Sequence, residues 1–464
     1  MSAALPPPVP GLAEASARIA AGESPTALTE AALARIAALD GRLHAFVTLA
    51  GDRALAAARR AEAEIRAGRR RGPLHGVPFA LKDIYDAAGL PTTAHSRLRL
   101  GHVAEADSDA TERLEAAGMV LLGKLSTHEF ARGGPTDELP WPNARNPWNV
   151  EHFAGGSSSG SGVAVASGMV GLAMGSDTGG SIRLPAAYCG VVGLKPTYGR
   201  LSRHGVVPLS FGMDHTGPLT RTVEDCALAM QVLAGHDPRD PASAPVPPGD
   251  YLRELRAGVA GLRIGIAPRF NEEALLDAET SAALSAAAEL LALLGAEIVE
   301  VRLPPRRVMD ACLQVILLAE GFAIHQRDLR ERPQDYGRVT RERLMVGAFV
   351  TGPHYVQAQR LRRMVAAEVD AVLAGCDAIL CPDIAAAAPR VDAVDEGPFR
   401  RQHPLTGPFN ATGHPALAVP AGFAANGLPL SVQLVGRNHD EAMLLRVAQA
   451  YEQAAGWMER RPPL

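Results

Sequence analysis

The chain has 464 residues, of which 47% are hydrophobic, 21% charged and 5% aromatic, and this is the composition of a soluble globular protein with a sizeable core. It excludes a disordered, collagen-like or coiled-coil protein. The formal net charge is −4, and the short run Arg69–Arg71 is the only block of like charge that stands out. We therefore expect a small, weakly charged ligand, with no nucleic acid and no membrane surface as partners.

The cysteines and the N-terminus indicate a cytoplasmic protein. The cysteines are odd in number and widely spaced, which favours reduced thiols over a disulfide framework. They are Cys189, Cys226, Cys312, Cys376 and Cys381. The residues Met1–Leu5 and the prolines after them lack the basic start and apolar stretch of a signal peptide. No run of about 18 apolar residues predicts a membrane-spanning helix.

The first seventy residues have the pattern of helices. Ser24 and Pro25 are suited to the N-cap and the first helical position, and Ala31–Leu39 keeps an apolar face. Gly41 lies where a left-handed C-cap would end this helix. A second helix is predicted over Asp52–Gly68.

From Gly76 onward, short apolar segments alternate with turn-forming residues and helical patterns. Val77–Leu81 and Met119–Leu122 have the composition of buried strands, which indicates an α/β fold. Residues 240–260 have the composition of a surface connection. The elements predicted after it are strands at Leu262–Ile266, Glu297–Leu303 and Ala378–Leu380, and helices at Glu279–Leu294, within 307–375 and at Asp440–Gln453.

Two glycine–serine loops, Gly155–Gly162 and Gly175–Ser181, flank the apolar stretch Val163–Met174. Glycines allow successive N–H groups to converge on an anion, which could be a phosphate or the oxyanion of acyl transfer. The phosphate interpretation is weak because neither loop continues into Lys-Ser or Lys-Thr, and the dinucleotide fingerprint lacks its third glycine. The oxyanion interpretation needs a nucleophile, and Ser181 at the end of the second loop suits that role.

A serine nucleophile needs a base, and the lysines indicate which one. Only three of the 46 basic residues are lysines: Lys82, Lys124 and Lys195. Arginine stays charged in proteins, whereas a desolvated lysine can be neutral. Lys82 directly follows the predicted buried strand Val77–Leu81, so it is the candidate base. We interpret Lys124 and Lys195 as structural because no glycine-rich loop adjoins them.

These residues resemble the amidase signature enzymes over most of the chain. The intervals from Lys82 to Ser157 and from Ser157 to Ser181 also fit that family. Besides the two loops, the matching segments are Gly72–Pro78, Lys82–Asp83, Gly193–Arg200, Asp214–Leu219, Asn410–Ala416 and Gly427–Pro429.

The resemblance implies a fold and its organisation. It implies one large α/β/α domain with a twisted mixed β-sheet covered by helices on both faces. The amidase signature domain would span residues 1–464. Its parts would be a helical N-terminal part over 1–70, a signature core over 71–235, a variable substrate-pocket region over 240–400 and a core closure over 405–464.

The resemblance also implies a Ser–Ser–Lys triad. Ser181 would be the nucleophile, Ser157 would relay the proton after a cis peptide bond from Gly156, and a neutral Lys82 would be the base. The oxyanion hole would consist of backbone N–H groups, and further side chains would support the loops. The N–H groups belong to Thr178, Gly179, Gly180 and Ser181, and the supporting residues are Ser158, Asp177 and Arg183.

The implied activity is hydrolysis of a carboxylic or urea-type amide through an acyl-enzyme, without a metal or organic cofactor. The implied partner is a small-molecule amide, and a homodimer is compatible with it. The rival within the family is the glutamine-hydrolysing component of a tRNA-dependent amidotransferase. That component typically has Gln where this chain has Leu184 and Pro where it has Ala154, and both differences favour a stand-alone amidase.

Two other interpretations are weaker. The segment Gly156–Gly160 fits the G-x-S-x-G elbow of α/β-hydrolases, with Ser158 as nucleophile, but Asn149–Ala154 before it does not have a strand pattern. A non-catalytic binding protein is disfavoured because all three triad positions are filled. The aromatic candidates for a substrate pocket are Trp141, Phe153, Tyr336 and Tyr355.

Overall fold

The computed structural model describes residues 5–393 and 405–464 and confirms the α/β fold class. Eleven strands form one sheet. In chain order they are β1 Phe46–Leu49, β2 Pro78–Lys82, β3 Val120–Leu125, β4 Leu172–Asp177, β5 Val192–Lys195, β6 His215–Thr220, β7 Arg263–Ile266, β8 Glu297–Glu300, β9 Ala378–Cys381, β10 Ala416–Phe423 and β11 Pro429–Val435.

The helices lie between these strands. They are α1 Leu12–Ala20, α2 Pro25–Leu43, α3 Gly51–Arg66, α4 Asp109–Ala116, α5 Ser159–Ala166, α6 Arg183–Cys189, α7 Val223–Leu233, α8 Pro268–Glu272, α9 Ala278–Leu293, α10 Arg306–Glu331, α11 Arg338–Met345, α12 Gly352–Leu373, α13 Pro408–Thr412 and α14 Glu441–Ala455.

The start of α2 follows the sequence pattern, but its end does not. Ser24 Oγ accepts a hydrogen bond from Ala27 N at 3.1 Å, with Pro25 at the first helical position. The helix continues past Gly41, and the left-handed residue is His44, with φ of 53°. The prediction of a C-cap at Gly41 is therefore wrong. The carboxylate of Asp40 accepts a hydrogen bond from Ala45 N at 2.6 Å and so stabilises the turn beyond the helix.

The sheet is mixed and has the strand order β1-β3-β2-β4-β6-β5-β10-β11-β9-β7-β8. Strand β2 lies parallel to β3 and β4, and β7 lies parallel to β8 and β9. The other neighbours are antiparallel. Strands β7, β8 and β9 continue the same sheet beyond β11, so the change of composition near residue 240 does not begin a second sheet.

Helices cover both faces of the sheet, as the alternation of side chains along the central strands requires. On β2, Phe79 and Leu81 belong to the hydrophobic cluster that contains residues of α1, α7, α9 and α14. Ala80 belongs to the cluster on the opposite face, with residues of α2, α3, α5 and α6. Ala173 on β4 belongs to that second cluster as well, whereas Leu172 and Met174 belong to the first.

One of the described helices, α10, is long and apolar enough to cross a membrane by length and composition alone. Buried core helices also meet that criterion, and α10 contributes Met309, Ile316 and Leu317 to the core. The five cysteines are buried and free of disulfides. A cytoplasmic location stays a prediction.

Candidate active site

The site begins where two neighbouring parallel strands end. Strand β2 ends at Lys82 and β4 ends at Asp177, with Leu81 paired to Met174 in the ladder. The carboxyl ends of parallel strands meet at the same edge of a sheet, so Lys82 lies next to Ser176. Both residues are buried, with exposed fractions of 0% and 4%.

Lys82 has two hydroxyl partners. Its Nζ atom donates to Ser157 Oγ at 2.7 Å and to Ser176 Oγ at 2.8 Å. Burial lowers the pKa of the Lys82 ammonium from 10.5 to about 7, although the negative charges of Asp177 and Asp214 partly oppose this shift. An amine with a pKa near neutrality is suited to accept a proton at physiological pH.

The first glycine–serine loop places Ser157 beside this amine. The peptide bond between Gly156 and Ser157 is cis, and Ser157 is 3% exposed. A Cβ atom on Gly156 would lie 2.0 Å from Cε1 of the His128 ring, so only glycine fits at this point of the loop.

Ser158 connects the two loops. Its backbone N–H donates to the carbonyl of Ser181 at 3.2 Å. Its hydroxyl donates to the carbonyl of Ser176 and accepts from the N–H of Ser176, both at 3.2 Å. The Ser158 side chain is therefore occupied by structural hydrogen bonds, whereas Ser181 is partly exposed.

The second loop folds around the carboxylate of Asp177. Oδ1 accepts from Gly180 N at 2.6 Å and Oδ2 accepts from Ile182 N at 3.2 Å. Arg183 forms an ion pair with the same carboxylate at 3.0 Å. Burial would raise the pKa of the Asp177 carboxyl, but the Arg183 guanidinium lowers it below its ordinary value. The N–H of Gly180, expected in the oxyanion hole, is thus directed at Asp177.

Arg183 is buried and joins the loop to the C-terminal part of the chain. Its Nη1 atom donates to the carbonyl of Thr406 at 2.8 Å, and its Nη2 atom donates to Asn410 Oδ1 at 2.6 Å. Asn410 Nδ2 in turn donates to Asp177 Oδ1 at 2.8 Å. These contacts fix the position of the loop that carries Ser181.

A cavity of about 620 Å³ adjoins this site and is lined by Ser176 and Thr178. Thr178 Oγ1 donates to Asp214 Oδ1 at 2.6 Å, and Asp214 also lines the cavity. None of the four aromatic candidates lies in its lining. Tyr336 is buried against Phe130, and the hydroxyl of Tyr355 donates to Glu320 Oε1 at 2.7 Å.

The structure brings together the residues expected from the sequence and adds others. Lys82, Ser157 and the Asp177–Arg183 pair lie at one edge of the sheet. Ser176 has no role predicted from the sequence, although its place at the end of a strand is a usable signal. Asn410 belongs to a segment that matches the family, but the sequence assigns it no role, because its contact with Asp177 spans 233 residues.

The residues before Ser158 decide against an α/β-hydrolase elbow. Within the described part of the chain, residues 126–158 contain no strand, and Phe153 forms only isolated bridge pairing with Arg145. Helix α5 begins at Ser159 without the preceding strand that the elbow requires.

The family is shown by comparison with known proteins. The model of the Amidase family matches residues 27–445. The chain therefore belongs to the amidase family, whose members with the signature loops are the amidase signature enzymes, and the resemblance seen in the sequence is confirmed. It is accordingly of the class of hydrolases that act on C–N bonds.

Particular relatives carry more specific names. The chain is 41% identical to the GatA-type component of the glutamyl-tRNA(Gln) amidotransferase of Anaeromyxobacter sp. (strain K), over 97% of each chain. It is 37% identical, with a TM-score of 0.91, to a solved structure of a vestigial protein complex linked to the evolutionary origins of an s-triazine catabolic enzyme, covering 96% of this chain and 99% of that one. The peptide amidase of Stenotrophomonas maltophilia is 36% identical, with a TM-score of 0.87 and 98% coverage of both chains.

These relatives correct one expectation. The composition predicted a small-molecule amide as the partner and no nucleic acid, because no strongly basic block is present. The names of the amidotransferase relatives refer to a tRNA and to a multi-subunit enzyme, so that prediction is wrong. Net charge and charge runs do not detect a protein whose role in an assembly is separate from nucleic-acid binding.

Proposed function

We propose that this protein hydrolyses a carboxylic amide through an acyl-enzyme on Ser181. The observation that carries the proposal is the 2.7 Å contact between Lys82 Nζ and Ser157 Oγ, made by a buried amine whose pKa is about 7. A lysine in this state can take a proton from a hydroxyl, which the guanidinium of an arginine could not do.

In the proposed mechanism, Ser157 passes its hydroxyl proton to Lys82 and takes the proton of Ser181. The Oγ atom of Ser181 forms a bond to the amide carbonyl carbon, and the carbonyl oxygen becomes an oxyanion. The backbone N–H groups of Thr178, Gly179 and Ser181 stabilise that charge, since the N–H of Gly180 donates to Asp177.

The tetrahedral intermediate then collapses. The C–N bond breaks, and the leaving nitrogen receives its proton from Ser157, which is reprotonated by Lys82. Water attacks the acyl-enzyme by the same proton path in reverse, releasing the acid and restoring the hydroxyl of Ser181.

For the particular activity, we propose the glutamine-hydrolysing component of a tRNA-dependent amidotransferase. The support is the agreement of about 40% identity over nearly the whole length with proteins of that name. In such an enzyme, glutamine would be the amide hydrolysed, and the ammonia would be used on a tRNA-bound glutamyl group by a partner protein.

A second candidate is an amidase that works without a partner. Leu184, where the amidotransferase component typically has Gln, is buried in an apolar cluster with Trp148, Phe153 and Tyr188. A glutamine amide in that cluster would need hydrogen-bond partners that these side chains do not supply. The likeness to the peptide amidase supports the same candidate.

Ammonia release by the purified chain separates these candidates. Glutamine, peptide C-terminal amides, aryl acylamides and urea-type amides are tested without any partner, and glutamine is tested again with co-purified partner proteins and glutamyl-tRNA(Gln). Turnover of a simple amide by the chain alone favours the stand-alone amidase. Glutamine turnover that requires the partners favours the amidotransferase component.

A fluorophosphonate probe tests the proposed nucleophile. We expect covalent labelling of Ser181, located by mass spectrometry, and its loss in Ser181→Ala. Ser158→Ala is the matched control, because Ser158 makes only structural contacts, and it should retain labelling. Labelling that persists in Ser181→Ala would contradict the mechanism.

A further inference from the structure

One surface of the molecule concentrates its exposed apolar side chains. Six of the large hydrophobic residues with high exposure lie within 20 positions of the chain, on the end of α11, the 3₁₀ turn Val346–Phe349 and α12. They are Met345 at 42%, Val346 at 50%, Phe349 at 82%, Val356 at 55%, Leu361 at 41% and Met364 at 59%. We call this set the α12 surface.

The α12 surface differs from the exposed apolar residues elsewhere. Leu293, for example, is 84% exposed at the end of α9, and the nearest residues of the same kind in the chain are Leu275 and Ile298. Single exposed hydrophobic residues are normal on protein surfaces, whereas contiguous clusters mark interaction sites.

The spacing on α12 suits a helix. Val356, Arg360 and Met364 follow each other at intervals of four residues, which places them in one row along the helix surface. The opposite face of α12 packs on the core through Ala358, Val365 and other residues, so the row points outward. Rows of this spacing are the ridges into which a second helix packs.

The charges on the surface select the chemistry of the partner. Arg360 and Arg363 are exposed beside Met364, and neither forms an ion pair with the residues that the structure describes. Elsewhere in the molecule, exposed arginines such as Arg239 and Arg71 are paired with carboxylates. Two guanidinium groups without a carboxylate beside an apolar row favour a partner with carboxylates at its edge.

We propose that the α12 surface docks an amphipathic helix of a partner protein whose apolar side covers Phe349, Val356 and Met364 and whose acidic residues pair with Arg360 and Arg363. A second copy of this chain fits less well, because a two-fold interface would bring these arginines against each other. An anionic bilayer also fits less well, since Glu368, one turn beyond Met364 on the same row, is exposed.

The first test uses a synthetic helical peptide of about 20 residues, long enough for five turns, with leucine on one face and glutamate on the other. Binding is measured by fluorescence anisotropy against a scrambled peptide and against a version with lysine in place of glutamate. We expect saturable binding of the acidic peptide alone. Equal binding of the scrambled or lysine peptide, or no binding of any, would overturn the proposal.

Variants locate the binding to the surface. Phe349→Ser/Met364→Ser should weaken binding by about tenfold or more, because the apolar anchors are lost. Leu293→Ser, a residue of equal exposure, is the matched control and should leave binding unchanged. Arg360→Glu/Arg363→Glu should abolish preference for the acidic peptide, whereas Arg59→Glu/Arg60→Glu on α3 should not. Circular dichroism establishes that each variant is folded.

The other occupants are separated by two measurements. Sedimentation of the wild-type chain that showed a dimer, lost in Phe349→Ser/Met364→Ser, would assign the surface to a second copy and contradict the proposal. Co-sedimentation with phosphatidylserine vesicles that the same variant abolished would assign it to a membrane and contradict the proposal as well. Neither readout depends on catalysis, so the inference stands or falls separately from the proposed activity.

Discussion

Two neighbouring strands of the sheet end with lysines that are equally buried and differently partnered. Lys82 is the last residue of β2, and Lys124 lies near the end of β3, each with an exposed fraction of 0%. In the ladder Leu81 pairs with Lys124, and Lys82 pairs with Leu125, so the two side chains point to opposite faces of the sheet.

The partners of the two amines decide their chemistry. Lys124 Nζ lies 3.2 Å from a carboxylate oxygen of Asp83 and donates to Thr92 Oγ1 at 2.9 Å. Burial lowers the pKa of the Lys124 ammonium, while the charge of Asp83 raises it and favours the protonated form. Lys82 has hydroxyl partners in place of a carboxylate. Equal burial thus produces a structural cation at one strand end and a candidate base at the other.

The largest effect that tests this comparison is expected from Lys82→Met. Removing the base should lower kcat by about a thousandfold or more, as is typical for loss of a general base, while the fold is retained. Steady-state ammonia release and circular dichroism measure the two quantities. Near-normal turnover in folded Lys82→Met would remove Lys82 from the mechanism.

Lys124→Met should affect stability instead. It leaves the buried carboxylate of Asp83 without its cation, which should lower the free energy of unfolding by about 3–5 kcal/mol. Urea unfolding at pH 7 measures this loss. A matched double variant, Lys124→Met/Asp83→Asn, should recover part of it. A larger effect of Lys124→Met on kcat than of Lys82→Met would reverse the assignment of the two lysines.

The pH dependence of activity sharpens the comparison further. Because the pKa of Lys82 is lowered to about 7, the amine is neutral above this pH and protonated below it. We expect kcat/KM to fall about tenfold per pH unit below pH 7 and to level off above it. A profile that stays flat between pH 5 and 9 would show that no group of this pKa limits the reaction.

The smallest effect is expected from Ser176→Ala. This change removes one of the two hydroxyl partners of Lys82 and leaves Ser157 in place, so the amine loses orientation but keeps its function. We expect kcat to fall by about tenfold, the value of one hydrogen bond of about 1.4 kcal/mol. Ser161→Ala, whose hydroxyl donates to the carbonyl of Met174, is the control and should change kcat less.

Some features can be predicted because they depend on local sequence. The Gly-Ser loops, the apolar strand before Lys82 and the N-cap at Ser24 follow from residue types at short intervals. Features that depend on distant contacts cannot. The use of the Gly180 N–H by Asp177 and the bonding of Arg183 to Thr406 and Asn410 connect parts of the chain that no spacing rule relates.

Helix ends and charge show the clearest differences from expectation. Gly41 has the residue type that ends a helix, but hydrogen bonds from Ala45 and Phe46 to Asp40 place the left-handed residue at His44. The weak net charge predicts no nucleic acid, whereas the amidotransferase relatives carry names that include a tRNA. A formal charge averages over a surface and does not describe an assembly.

The sequence by itself determined the family, the α/β class and the residue types of the loops, because these depend on the order and spacing of glycine, serine and lysine. Only the tertiary structure decided which of three lysines lies between two hydroxyls, since that depends on which strands are neighbours and which face each side chain takes. A pKa near 7 for Lys82 arises from burial, and burial is a property of the folded chain as a whole.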